Sequence, residues 1–109
     1  MKSSFLSLAL GISTATAVAA DETDWRTKGL ELVRAESYVV DAIWSQDISL
    51  WVSMKDDGSD RSGYAQVLCF SLRDAGRQPD DFVVIRIYDA AAMARDELRQ
   101  IGRAECPHG

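Results

Sequence analysis

The sequence predicts an α+β fold: a small mixed three-stranded sheet with two to three helices, in the order α-β-β-α-β-α, held by one disulfide. Three observations lead to this expectation. In residues 48–54 the apolar side chains of Ile48, Leu50, Val52 and Met54 alternate with Ser49, Trp51 and Ser53, which is the period of a strand with one buried face. Residues 64–75 carry apolar side chains at helical spacing. Residues 82–88 (FVVIRIY) form a nearly continuous β-branched and aromatic run, which is typical of a strand buried on both faces.

The start of the chain has the order of a secretory signal peptide. A single lysine is followed by an apolar stretch (FLSLALGI) and then by small residues up to Ala20. Cleavage after Ala19 and cleavage after Ala20 both fit the small-residue rule, so both stay open. The apolar stretch is too short to span about 30 Å of hydrocarbon. We therefore expect residues 1–20 to be removed, residues 21–109 to form one small domain, and the protein to be periplasmic or secreted.

The charge of the chain argues against two classes of partner. The net charge is −5, and removal of the lysine in the signal peptide makes the remainder more negative. A negative chain lacks the electrostatic footprint of proteins that bind nucleic acids or anionic membranes. We expect neither kind of binding from the mature domain, in which the charge favours solubility.

Cys69 and Cys106 are the only cysteines. Thiols pair in an oxidising compartment, and two cysteines allow one intramolecular bridge. The chain-entropy model assigns such a bridge about 4 kcal/mol. A metal site is the alternative, but two cysteines and one histidine, His108, lack the repeated C-x-x-C spacing of zinc sites. We therefore expect a disulfide, no metal and no cofactor.

An N-terminal helix is expected over Trp25–Ala35, where Thr23 or Asp24 would cap its first turn. Gly29 lies inside this segment and lowers its helix propensity. The buried side of the helix would carry Trp25, Leu32 and Val33.

Residues 38–54 are expected to form a β-hairpin with one of two connections. A three-residue connection over 45–47 places the apolar residues of both strands on one face, whereas a two-residue connection places Trp44 beside Ser49 and Trp51. A one-residue slip exchanges the faces of a strand, so we favour the register that collects apolar side chains. The shared face would carry Tyr38, Val40, Ala42, Trp44, Ile48, Leu50, Val52 and Met54.

The middle of the chain predicts a crossover connection. Residues 55–62 (KDDGSDRS) form the strongest turn, and a helix follows over Gly63–Ala75, ended by Gly76. Cys69 lies on the apolar stripe of this helix. With the strand over residues 82–88 this gives a βαβ unit, whose strands run parallel in one sheet.

A last helix is expected over Ala90–Ile101, capped by Asp89 and ended by Gly102, with residues 103–109 as a tail that carries Cys106. Arginines four residues apart would line one face of this helix. They suit a solvated face at a helix C-terminus more than an anion site. These arginines are Arg95, Arg99 and Arg103.

The sequence offers little catalytic or metal-binding machinery. When Gly58 is set at the sixth position of an EF-hand loop, only Asp57 falls on a carboxylate ligand position and the bidentate Glu is missing. Nucleophilic catalysis needs a nucleophile and a base, and the one histidine, His108, is second from the end. An enzyme would have to use carboxylates: Asp41 with Asp56, Asp57 or Asp60.

Trp51 is the residue that points to a function. In the favoured register it points away from the main apolar face of the hairpin, with Val39 and Ile43 near it. Such a second apolar patch is covered either by the N-terminal helix or by a partner. We therefore expect a non-catalytic interaction module that binds an unknown protein or associates with itself. The alternatives are the carboxylate enzyme and a small-ligand carrier with a pocket between sheet and helix.

Overall fold

The computed structural model describes residues 24–107. The signal peptide, a helix cap at Thr23 and the tail histidine, His108, lie outside what it describes, whereas Asp24, the other expected cap, is the first residue of the first helix. Within the described part, no helix has both the length and the apolar character needed to cross a membrane.

The described chain has the α+β class and the mixed sheet that the sequence predicts, with a fourth strand at the C-terminal end. The elements follow the order α-β-β-α-β-α-β. They are α1 (Asp24–Arg34), β1 (Val39–Gln46), β2 (Ser49–Met54), α2 (Ser62–Ala75), β3 (Val83–Asp89), α3 (Ala90–Met93) and β4 (Gln100–Cys106).

The sheet has the strand order β1-β2-β3-β4. The outer pairs are antiparallel, whereas β2 and β3 are parallel because α2 carries the chain back between them. Helices α1 and α2 pack on one face of the sheet, and the hydrophobic core lies between that face and the helices. Its fully buried side chains include Val33, Leu50, Val52, Met54, Leu68, Leu72, Val83, Ile85 and Ile87.

The hairpin has the predicted faces in its centre but a different connection. Ala42 lies opposite Val52 and Trp44 lies opposite Leu50, all on the core side. The strands are joined by a turn at residues 47–48, and the register shifts beyond Trp44. The three-residue connection over 45–47 is therefore wrong.

A second register shift changes the faces at the start of β1. It lies between Val39 and Asp41, where an extra residue on one strand forms a bulge. As a result Val39 packs against the core, while Val40 and Tyr38 are exposed. The predicted faces of Val39 and Val40 are therefore wrong, whereas Tyr38, although largely exposed, packs edge to face on Tyr64 of the second helix, on the core side.

The helix predicted over Ala90–Ile101 is wrong after its first turn. Helix α3 ends at Met93, and Asp96 has a φ of 62°, outside the helical region. The N–H of Glu97 donates to the carbonyl of Ala92 at 2.9 Å, which closes a turn instead of continuing the helix. Consequently the three arginines of this segment do not share a helical face.

The predicted tail is the edge strand β4, and Gly102 lies inside it rather than at a helix end. The residues of β4 that face α2 are small: Gly102, Ala104 and Cys106 are all buried. A Cβ on Gly102 would lie 2.5 Å from the carbonyl carbon of Arg61. The small side chains therefore allow the start of α2 to approach the strand closely.

The first helix also depends on a close approach. A Cβ on Gly29 would lie 2.7 Å from Cδ2 of Leu72, so glycine at this position lets α1 pack against α2. Val33 is buried as predicted, but Leu32 is exposed. Leu30 takes the expected place of Leu32 against the core.

The predicted disulfide is confirmed: Cys69 of α2 is bonded to Cys106 of β4. The two Cα atoms are 5.3 Å apart and the residues are separated by 37 positions. The bond therefore fixes the crossover helix to the last strand of the sheet, and both cysteines are buried.

Candidate functional site

The face of the sheet opposite α1 and α2 is the outer face, and its side chains divide it into two halves. Residues Ile43, Trp51, Arg86 and Arg103 are aligned across the four strands. The β1–β2 half is therefore apolar in this row, and the β3–β4 half is charged. Of the helices in residues 24–107, only the four-residue α3 packs on this side of β2 and β3.

The apolar half forms a patch, which we call the outer patch: Val40, Ile43, Trp51 and Met93. These residues line one shallow depression of about 290 Å³ together with Asp41 and neighbouring residues. Val40 is 64 % exposed and Ile43 is 53 % exposed. The patch therefore leaves apolar surface in contact with solvent.

Trp51 is fixed in this patch by an aromatic contact. Its ring meets the ring of Tyr88 edge to face, with centroids 5.1 Å apart, as aromatic pairs prefer. Its position opposite Ile43 agrees with the sequence prediction, whereas Val39 lies on the core side because of the bulge. Val40 takes the place expected for Val39.

The N-terminal helix does not cover the outer patch. Trp25 of α1 packs on Trp44 with ring centroids 5.9 Å apart, and Trp44 belongs to the opposite face. Arg26 lies over the same two rings, 4.4 Å and 5.8 Å from their centroids. Helix α1 therefore belongs entirely to the core side of the sheet.

Two buried polar atoms of β2 lack hydrogen-bond partners on the outer face. Neither Ser49 Oγ nor Trp51 Nε1 finds a partner among the described residues. Folded proteins pair nearly all such atoms. On this face the hydroxyl of Ser53 donates to the carbonyl of Asp41 at 3.3 Å, so the unpaired buried groups of β2 within residues 24–107 are limited to those of Ser49 and Trp51.

The acid-rich turn after β2 uses its carboxylates to shape the backbone. Asp56, Asp57 and Asp60 each accept a hydrogen bond from the backbone N–H two residues further on, at 2.8, 3.0 and 2.9 Å. These backbone bonds lower the pKa of Asp56 and Asp60, and the hydroxyl of Ser59 has the largest effect in lowering the pKa of Asp57. The three groups are therefore stabilised as carboxylates.

Arg99 joins this turn to the end of β3. Its guanidinium lies 2.7 Å from Asp56 and 2.9 Å from Asp89, and the hydrogen bond to Asp56 is the main cause that raises its pKa. Burial raises the pKa of Asp89, but the hydrogen bonds from Ala92 and Arg99 outweigh it, so this pKa is lowered. Open α/β sheets bind ligands at the carboxyl ends of their parallel strands. In this sheet the carboxyl ends of β2 and β3 are joined by the ion pairs of Arg99.

Asp41 is not part of that network. Its carboxylate lies 3.1 Å from Arg34 and accepts a hydrogen bond from the N–H of Ala42, at the edge of β1. Among the partners that the structure describes, Asp41 and Asp56 have none in common. In residues 24–107 no group of three or more His, Cys, Asp or Glu side chains is arranged to hold a metal ion.

The space between sheet and helices is filled by side chains. Leu68 and Leu72 of α2 and Ile85 and Ile87 of β3 are completely buried in one cluster. A ligand pocket between α2 and the sheet would require these side chains to be displaced.

No family model, no curated protein and no solved structure matches the chain. Function is therefore inferred from the side chains themselves.

Proposed function

We propose that the chain is exported, loses residues 1–20, and acts as a non-catalytic module that binds a protein partner through the outer patch. The observation that carries this proposal is the exposed apolar surface of Val40 and Ile43 beside Trp51 on a sheet face that neither long helix covers. Contiguous apolar patches on small soluble domains mark interaction sites, and Trp is enriched at their centres.

Export is supported by the disulfide as well as by the N-terminal pattern. Bonds such as Cys69–Cys106 persist in the periplasm and outside the cell and are rare in the reducing cytosol. The order of lysine, apolar stretch and small residues before residue 21 is that of a cleavable signal.

A binding role is favoured over the carboxylate enzyme by the state of the acids. A general acid at neutral pH needs a raised pKa, whereas the pKa values of Asp56, Asp57 and Asp60 are lowered. Asp41, the fourth candidate, is paired with Arg34 elsewhere. A carrier role is disfavoured because α2 and β3 pack without space between them.

The charge beside the patch indicates the kind of partner surface. Arg86 follows Trp51 in the aligned row, and within the described chain it makes no ion pair. The partner is therefore an apolar surface with acidic groups at its rim. Complementary charges of this kind determine orientation and association rate more than affinity.

The experiment compares two isoleucines of similar exposure. Ile43 belongs to the outer patch, and Ile48, 46 % exposed, lies in the hairpin turn outside it. Ile43→Ser should weaken binding by about 0.8–1.5 kcal/mol, half the transfer free energy of a full isoleucine side chain. This corresponds to a Kd raised about four- to twelvefold. Ile48→Ser should leave the Kd unchanged.

Two measurements provide the readout. Sedimentation of the oxidised mature protein reports self-association, and quantitative capture from the exported fraction reports a different partner. Association that Ile43→Ser weakens and Ile48→Ser does not supports the proposal. A strictly monomeric protein whose captured set is the same for wild type and both variants contradicts it.

A further inference from the structure

A second depression lies between α2 and the free edge of β4. It has a volume of about 280 Å³ and is lined by Phe70, Arg73 and Arg77 on one side and by Glu105 and Pro107 on the other. It shares no residue with the outer patch. Any binding here is therefore independent of the proposed function.

Arg77 places a buried positive charge in this depression. The residue is only 5 % exposed, and its Nη1 and Nη2 atoms donate to the carbonyl oxygens of Gln78, Asp81 and Pro107. Within residues 24–107 no carboxylate lies at ion-pair distance from it, and its Nε–H has no acceptor. Buried charges are normally compensated by an opposite charge, whereas Arg77 is held by backbone carbonyls, so its charge favours an anionic group in the depression.

The remaining lining adds a second cation and an apolar wall. The guanidinium of Arg73 lies 4.8 Å from the ring centroid of Phe70, which is 54 % exposed. Glu105, the one carboxylate of the lining, is already paired with Arg103 at 3.0 Å. In a chain of net charge −5, this is a cationic site with an exposed aromatic surface.

The strand edge beside the depression has free backbone groups. The backbone N–H of Arg103 donates to Ser62 Oγ at 3.1 Å, so the backbone N–H and C=O groups of Arg103 point away from β3. Residues two positions apart on a strand point the same way, and the register from Arg103 to Cys106 is regular. The N–H and C=O of Glu105 therefore face outward, as in edge strands that bind peptides.

We infer that this depression binds the carboxylate of an extended peptide segment whose adjacent side chain is apolar. The peptide backbone pairs with the edge of β4 at Glu105. Its apolar side chain packs on Phe70, and its carboxylate lies in the field of Arg73 and Arg77, whose guanidinium geometry suits carboxylates.

The test uses small compounds that separate these three contributions. N-acetyl-leucine has the carboxylate, the apolar side chain and a peptide bond. N-acetyl-leucinamide lacks the charge, and 4-methylpentanoate lacks the peptide bond. Titration of the full oxidised protein, followed by amide nitrogen–proton NMR, should give saturable shifts at Phe70, Arg73 and Glu105 with N-acetyl-leucine and weaker binding of both other compounds.

Variants assign the binding to the site. Arg73→Gln should raise the Kd of N-acetyl-leucine roughly tenfold, as the loss of a charge-assisted hydrogen bond does. Arg95→Gln removes an exposed arginine outside the depression and should leave it unchanged. Absent or non-saturable shifts, equal effects of the two variants, or equal affinity of either comparison compound would overturn the inference. Concentration-dependent shifts without ligand at the same residues would do so too, because the occupant would then be a second copy of the chain.

Discussion

Asp96 decides whether the segment after β3 continues as a helix or turns into β4. Its φ of 62° lies in the left-handed region, which glycine adopts freely and alanine adopts at a cost of about 1–2 kcal/mol. The N–H groups of Asp96 and Glu97 donate back to the carbonyls of Met93 and Ala92. The turn therefore depends on this one residue having a positive φ.

The order of stability of Asp96→Gly and Asp96→Ala distinguishes the observed turn from an uninterrupted helix over residues 90–101. In the structure, Asp96→Gly should be more stable than Asp96→Ala by about 1 kcal/mol, because only glycine is free of strain there. In an uninterrupted helix over residues 90–101, Asp96→Ala should be the more stable by about 1 kcal/mol. The difference in the free energy of unfolding between Asp96→Gly and Asp96→Ala therefore has opposite signs in the turn and in the helix, and the two expected values are about 2 kcal/mol apart.

Urea unfolding of the oxidised protein, followed by tryptophan fluorescence, measures this difference. With an m-value of about 1–3 kcal/mol/M, 1 kcal/mol corresponds to a shift of about 0.3–1 M in the urea midpoint. The wild-type protein and both variants are compared at one pH and ionic strength. If Asp96→Ala were as stable as Asp96→Gly, or more stable, the turn at Asp96 would be refuted. The explanation of why the chain leaves the helix and enters β4 would then fail as well.

Three further predictions concern the contacts that hold the fold. Gly102→Ala should lower the free energy of unfolding by about 1–3 kcal/mol, because its Cβ would overpack against the start of α2. Gly63→Ala, whose Cβ would lie in open space, should raise it by up to about 1 kcal/mol. Urea unfolding of both variants measures the two changes. The double substitution Cys69→Ser with Cys106→Ser should lower the free energy of unfolding by about 4 kcal/mol, which urea unfolding of the wild-type and variant proteins measures. Because the pKa of Asp89 is lowered on folding, its stabilising contribution is present above its unfolded pKa of about 3.9 and is lost as the pH falls through the folded value. Thermal melts in acid should therefore show a weaker pH dependence for Asp89→Asn than for wild type.

The crossover unit could be predicted from the sequence because its signals are local. Apolar residues at helical spacing define α2, and Gly76, which ends it, has a φ of 119°. The continuous apolar run of β3 is buried on both faces, as the sequence predicts. Each feature is determined within one element, so no knowledge of its neighbours is needed.

Strand β4 could not be predicted because its signal depends on a distant contact. Its inward residues, Gly102, Ala104 and Cys106, are small, so their alternation with charged residues carries little hydrophobic contrast. Their size reflects the approach of Arg61 at the start of α2. The preceding residues 94–99 are mostly helix formers, and the turn at Asp96 has no glycine to mark it.

The outer patch could be predicted only in part. Ile43 and Trp51 follow from the alternation within the hairpin. Val40 replaces Val39 because of a bulge, and the neighbourhood of Met93 and Tyr88 depends on the parallel register of β2 and β3. That register is fixed by how α2 packs, which no local pattern encodes.

The most direct test of the account is intact-mass spectrometry of protein recovered from its native cells with an alkylating agent present and no reductant. The central claim is that the domain functions outside the cytoplasm, held by the Cys69–Cys106 bond. The expected mass is that of a chain beginning at Ala20 or Asp21, two hydrogens lighter than the reduced form and unalkylated. A chain that retains residues 1–20 and carries an alkyl group on both cysteines would contradict the claim.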